Sequence, residues 1–292
     1  MSIELDSFRL YLRSEGKKRT TVDNYCRHLK AYERWLAGTS VTGADTSTLR
    51  EFIAHERDRG MVDGTIYQRI ISLRVFYRWL HEEGDISSNP SERLKLPRVR
   101  VPDISPISVE DVSALLREAK STGGFVGVRD DAILRVLCDT GLRRAELLSM
   151  TVDGTDPNTG MIVIRRKGGK LASLPMGTKV SLAVARYLRL RSTRKGSWRP
   201  ELWLATSGAP LGYSTVSGRL AVYATRAGLP PVHPHQLRHL WASEFRRNGG
   251  NDTELMTLAG WSSMSQVARY GRATAQERAM EAGRRLSLGD RL

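Results

Sequence analysis

The run Pro234-His235-Gln236-Leu237-Arg238-His239 reads as the opening of a helix. Proline suits the first helical position, where its missing N–H costs nothing. His235 and Arg238, three residues apart, then share one face. A helix amino end favours an anion, and a guanidinium adds a fork matched to phosphate oxygens. Taken alone, His-x-x-Arg is ordinarily a surface helix with a satisfied histidine. The segments on either side change that weighting.

Upstream, Thr140-Gly141-Leu142-Arg143-Arg144-Ala145-Glu146 sets Arg143 just past a tight bend, from which its side chain can enter a cleft. Glu146, one turn on, can brace it, while Arg144 is expected to point elsewhere. Between these segments the hydrophobic period changes. Met161–Ile164 and Leu171–Pro175 flank Lys167-Gly168-Gly169-Lys170, a β-hairpin pattern. Lys167 at such a tip can swing onto a substrate oxygen and act as a general acid, with Lys170 as its rival in the same turn. Downstream stand Trp261, which can donate only through its indole N–H, and Tyr270-Gly271, after a short helical stretch from Ser265. A protonated phenol is a poor nucleophile until cations lower its pKa or a base takes its proton. His235 is the obvious acceptor and His239 the spare. Such a set suits a phosphodiester held by two fixed cations and attacked by a tyrosine oxygen. It calls for no metal and no nucleotide cofactor.

The first hundred residues read as helices. Leu5, Phe8 and Leu12 mark one; Tyr25, Leu29, Tyr32 and Leu36 a second, ended by Gly38; Phe52 and Ile53 a third, capped by Ser47 or Thr48 and closed by Gly60. A fourth runs from Thr65 through Ile70, Leu73 and Leu80 to Gly84. Arg69, Arg74 and Arg78 fall on its remaining surface and are candidates for phosphate contacts. Three prolines between Leu96 and Pro106 deny the next stretch a helix, and its Arg98 and Arg100 can line a polyanion. Residues 1–95 are therefore expected to form a helical domain, 96–107 a linker, 108–274 a second domain, and 275–292 a tail. The second domain opens at Ser108-Val109-Glu110-Asp111, a capping-box pattern. The overall expectation is a mainly α protein with a small antiparallel β-sheet.

At 292 residues the chain can hold two cores. Its formal net charge of +15 points to a polyanionic partner. The first 100 residues carry 18 Lys+Arg against 14 Asp+Glu, so most of the excess lies beyond them. Cys26 and Cys138 sit in apolar helical patterns and read as buried thiols of a reducing compartment. No secretory signal or membrane-spanning stretch is legible, so the expected location is the cytoplasm.

The ordered set Arg143, Lys167, His235-x-x-Arg238, Trp261 and Tyr270 resembles the tyrosine recombinase (phage integrase) family. The motifs T-G-L-R-x-x-E, a hairpin lysine, H-x-L-R-H and a tyrosine nine residues after Trp261 all match. The resemblance runs from about residue 3 to the tail. It implies a SAM-like helical core-binding domain followed by an α+β catalytic domain, without an arm-binding domain ahead of them. It further implies Tyr270 as nucleophile, Lys167 as acid, and Arg143 and Arg238 on the non-bridging oxygens. The partners implied are duplex DNA attachment sites bound by a homotetramer, with host DNA-bending or directionality factors, and the tail would pack on a neighbouring protomer. One departure is Gly260-Trp261, where most relatives have Gly-His. Integration of phage or mobile-element DNA is the expected role, with resolution of chromosome or plasmid dimers as the alternative. A non-catalytic DNA-binding protein would have lost Tyr270 or an arginine. A metal-dependent nuclease needs clustered carboxylates, and Asp130-Asp131 reads instead as a helix start.

Overall fold

The computed structural model describes residues 2–99, 107–166, 168–268, 280, 283, 284 and 287. The chain divides into two compact units, Met1–Asp103 and Ile104–Leu292. The division falls inside the proline-rich stretch.

The first unit is built from α1 (Ile3–Ser14), α2 (Arg19–Trp35), α3 (Thr46–Asp58) and α4 (Asp63–Glu82). Their apolar stripes meet in one core, with Phe8, Leu29, Tyr32, Phe52, Ile66, Phe76 and Tyr77 almost fully buried. The two buried phenols satisfy each other, Tyr32 Oη lying 2.9 Å from Tyr77 Oη, and Tyr77 also donates to the Val41 carbonyl at 3.0 Å. α3 starts two or three residues earlier than expected. Its cap is Asp45, not Ser47 or Thr48: the Asp45 carboxylate accepts the Thr48 N–H at 2.8 Å.

The arginines of α4 also need correction. Arg69 is not a surface residue, for its side chain is 11% exposed and pairs at 2.6 Å with Glu56, itself 1% exposed, on α3. Its guanidinium also lies 5.5 Å from the Phe52 ring centroid. Arg74 is half-buried and donates to the Leu94 carbonyl. Arg78 and Arg98 are exposed, and Arg100 lies outside the described residues.

The second unit opens with α5 (Val109–Thr122) and α6 (Gly124–Thr140). The expected capping box is present: Ser108 Oγ accepts the Asp111 N–H at 3.0 Å and Asp111 accepts the Ser108 N–H at 2.9 Å. Then come α7 (Arg144–Leu148), β1 (Thr155–Asp156), β2 (Met161–Arg165), β3 (Leu171–Pro175), α8 (Thr178–Ser192), α9 (Tyr213–Arg226), α10 (Pro234–Arg247), α11 (Asp252–Ala259) and α12 (Met264–Ala268). The strands form one antiparallel sheet in the order β1-β2-β3. Ile162 and Ile164 face the core, as the two-residue period requires.

α6 runs through the centre of this unit and contributes Ala132, Ile133, Leu134, Val136 and Leu137 to its core. Asp130 and Asp131 are not a helix start; both are buried inside α6, which begins earlier, at Gly124 after the positive-φ Gly123. Asp130 accepts from Arg129 Nε at 2.8 Å, Arg219 Nε at 2.7 Å and Tyr223 Oη at 2.6 Å. Asp131 pairs with Arg135 at 3.0 Å. Both cysteines are free; Cys26 is buried and Cys138 half-buried, and burial pushes the Cys138 thiol up to about 12. Among the described residues no three His, Cys, Asp or Glu gather to hold a metal, and no helix is long and apolar enough to cross a membrane.

Candidate active site

The site grows from the end of α6. Gly141 there takes a left-handed conformation, φ +58°, and Trp241 packs so closely that a Cβ would lie 2.1 Å from its ring. Only glycine meets both demands. The chain then buries Leu142 and turns Arg143 to the head of α7. Glu146 holds Arg143 twice: its Oε2 accepts the Arg143 N–H at 2.8 Å and its Oε1 accepts Nη1 at 2.9 Å. The expected brace is therefore a two-point clamp that fixes the direction of the side chain. Arg144 points away, stacked 3.4 Å above the Tyr213 ring centroid.

Arg238 reaches the same place from the first turns of α10. It is 2% exposed. Its Nη2 donates to the Ala259 carbonyl at 2.8 Å, Nη1 donates to the Gly141 carbonyl, and Nη1 lies 4.0 Å from Glu146 Oε2. Arg143 Nη1 shares the Ala259 carbonyl at 3.4 Å. The two guanidiniums are thus brought together by one carbonyl and one carboxylate. Two guanidiniums gathered around one carboxylate form a locus that suits an anion. Trp261 is 7% exposed and sets its ring 5.1 Å from the Arg238 guanidinium carbon.

His235 stands one turn before Arg238 and is exposed. Loss of hydration, then the charges of Arg238, Arg143 and Arg144, hold its pKa below the ordinary 6.5. His239 is lowered too, by burial first and then by His235 and Arg238. His233 caps the helix, and its N–H donates to Gln236 Oε1 at 2.7 Å. Both imidazoles are therefore biased toward the neutral form that can accept a proton.

Lys167, Tyr270 and nearly all of the tail lie outside the described residues. The strands on either side of Lys167 pair as expected, Arg165 opposite Leu171. One residue the sequence reading passed over is Arg166. Its guanidinium donates to the carbonyls of Thr257 at 2.9 Å and Leu258 at 2.6 Å, beside the Ala259 carbonyl that serves the other two arginines. The Arg165-Arg166 doublet was the only signal, and it gives no hint of a target 91 residues away.

Two family models match the chain. The phage integrase family model covers residues 106–277, and the phage integrase N-terminal SAM-like domain model covers residues 5–84. The chain belongs to the phage integrase family. It is 31% identical to the tyrosine recombinase XerC of Chromohalobacter salexigens, over 86% of this chain and 85% of the relative. It is 30% identical to that of Alcanivorax borkumensis, over 91% and 88%. Its fold is similar to a lambda integrase dimer bound to a COC′ core site, at TM-score 0.76, 20% identity, and 92% and 77% coverage. It is also similar to the Tn1549 transposon integrase in complex with transposon right end DNA, at TM-score 0.75, 20% identity, and 97% and 99% coverage. The mainly helical architecture with one small antiparallel sheet is that of the family.

Proposed function

We propose that this integrase-family chain, a site-specific DNA recombinase, cleaves and rejoins DNA strands through a 3′-phosphotyrosyl link on Tyr270. The observation that carries the reading is the Arg143–Arg238 pair, two guanidiniums fixed side by side on the Ala259 carbonyl and Glu146. In the first step the Tyr270 hydroxyl gives its proton to His235, with His239 behind it, and its oxygen bonds to phosphorus. The bond from phosphorus to the 5′-oxygen breaks, and Lys167 protonates that oxygen. Arg143 and Arg238 stabilise the charge that builds on the non-bridging oxygens, where preorganised donors act most strongly. Trp261 supports the phosphate through its indole N–H and by backing Arg238. The 5′-hydroxyl of a second strand then reverses these steps, so the bond energy is kept and no nucleotide cofactor is consumed.

Exchange between two duplexes requires four strand cuts, and one tyrosine per copy then calls for four copies on two sites. In this reading residues 1–95 and 108–274 are the core-site and catalytic domains, and the tail from Ala275 packs on a neighbouring copy. Integration of phage or mobile-element DNA and resolution of DNA dimers share this chemistry. Integration is the reading put first and resolution the alternative; integration would add host DNA-bending or directionality factors. Plasmids carrying two direct copies of the site separate the roles, since unaided excision into two circles is the outcome expected of a resolvase.

The chemistry is tested with nicked duplexes from a randomised pool, incubated in EDTA, in which the nick lets the cleaved fragment diffuse away. Wild-type protein should accumulate a covalent adduct whose peptide map ends at Tyr270, and Tyr270→Phe should bind without forming it. An adduct that survives in Tyr270→Phe, or cleavage that EDTA stops, would overturn the assignment.

A further inference from the structure

Helix α11 ends in three successive carbonyls, Thr257, Leu258 and Ala259, and arginines occupy all three. The end of a helix leaves such carbonyls without partners and gives them partial negative charge, so cations are favoured there. Ala259 takes the site pair, Arg143 and Arg238. Thr257 and Leu258 take the two arms of Arg166. Gly260 makes this fit possible. It turns left-handed at φ +62°, and a Cβ there would stand 2.9 Å from Nε, Cζ and Nη1 of Arg166.

The main chain of Arg166 does a second job. Its N–H donates to the Lys170 carbonyl at 2.8 Å, and its carbonyl accepts the Gly169 N–H at 3.0 Å. These two bonds close the hairpin turn, in which Gly168 and Gly169 both take positive φ. One residue therefore grips the turn with its backbone and α11 with its side chain. Lys167 is the next residue in the chain.

We propose that Arg166 is a positioning residue that ties the Lys167 hairpin to the carboxyl end of α11, in register with the Arg143–Arg238 pair. The inference rests on the reading of Lys167 as general acid. Arg166 touches neither phosphate nor leaving group; it fixes where the turn stands relative to the carbonyl that organises the two site arginines. A hairpin free of this grip samples many positions, and a misplacement of about 1 Å can cost on the order of 100-fold in rate.

The test compares single-turnover cleavage of two nicked duplexes that differ in one atom. One carries the ordinary 5′-oxygen at the scissile phosphate, the other a 5′-sulfur. A thiolate leaves without being protonated, so only the oxygen duplex needs the lysine. Lys167→Ala should be slow on oxygen and recover on sulfur. Arg166→Ala should follow the same pattern, about 10- to 100-fold slow on oxygen and near wild type on sulfur. Gly260→Ala, which attacks the same contact from the other side, should copy it. Arg166→Lys cannot fork two carbonyls and should fall between. Thermal melting of each variant reports folding independently. Arg166→Ala at wild-type speed on oxygen, or equally slow on both duplexes, would overturn the inference while leaving the general acid intact. A Lys167→Ala defect that sulfur does not relieve would overturn both.

Discussion

Arg238 carries a full charge with almost no contact to solvent, 2% exposed. A buried cation is costly unless hydrogen bonds and opposite charge surround it. Here two carbonyls and a carboxylate 4.0 Å away help to hold it beside Arg143. Arg238→Ala should lower single-turnover cleavage by about 10²–10³-fold. Arg238→Lys should not restore it, because a single ammonium cannot reproduce the fork. Recovery above a tenth of the wild-type rate by lysine would show that charge alone suffices. His235 adds a pH signature. Its pKa is held below the ordinary 6.5, so the neutral form predominates at pH 7 and at 6.5. Cleavage should therefore decline with a midpoint below 6.5; a decline centred at or above 6.5 would exclude His235 as the base. Stability follows the same sign. The unfolded chain takes the proton first, so the histidine's contribution is complete above about 6.5 and is lost as pH falls through the folded-state value.

At the scale of elements, α6 depends on a buried ionic knot. Asp130 accepts from Arg129, Arg219 and Tyr223, and so ties α6 to α9. Asp130→Ala leaves Arg129, 3% exposed, without its carboxylate and should cost about 3–5 kcal/mol in urea unfolding. A loss below 1 kcal/mol would mean that water replaces the carboxylate. This knot also shows where sequence reading stops. Helix positions along the chain follow from 3.6-residue periodicity, and the hairpin from alternation around two glycines. The Arg143–Glu146 and His235–Arg238 spacings are local, so those pairs are visible in one segment. Asp130-Asp131 looked like a helix start because two adjacent carboxylates commonly sit in a first turn. Asp131 in fact pairs within α6, with Arg135, while Asp130 reaches Arg219 on α9, 89 residues away. Asp45, Ser47 and Thr48 are all competent caps, and spacing alone does not choose among them. Arg69 lies opposite the apolar stripe of its own helix, yet Glu56 of α3 covers it. Arg166 went unseen for the same reason. Apart from the choice of cap, these misses concern what a second element brings near, and local pattern carries no such information.

For the whole molecule the excess of 15 positive charges is the dominant long-range property. Each phosphate that a lysine or arginine neutralises releases condensed counterion, so affinity for duplex DNA falls linearly on logarithmic axes as salt rises, with a slope of about −0.9 per contact. Not every arginine counts. Arg78 and Arg98 are exposed and have charge to offer. Arg69 has given its charge to Glu56 at 2.6 Å within the first unit. Fluorescence anisotropy of a labelled duplex between about 50 and 200 mM salt should show a steep slope for wild type. Replacing Arg78 or Arg98 by Ala should make it shallower by about 1 each where that residue meets a phosphate. Arg69→Ala should leave the slope unchanged and instead lower the melting temperature, since it removes one of the two arginines, Arg59 being the other, that pair with the buried Glu56 carboxylate. A slope change in Arg69→Ala equal to those of the exposed arginines, with melting unaltered, would mean that the Glu56 pair opens when DNA binds.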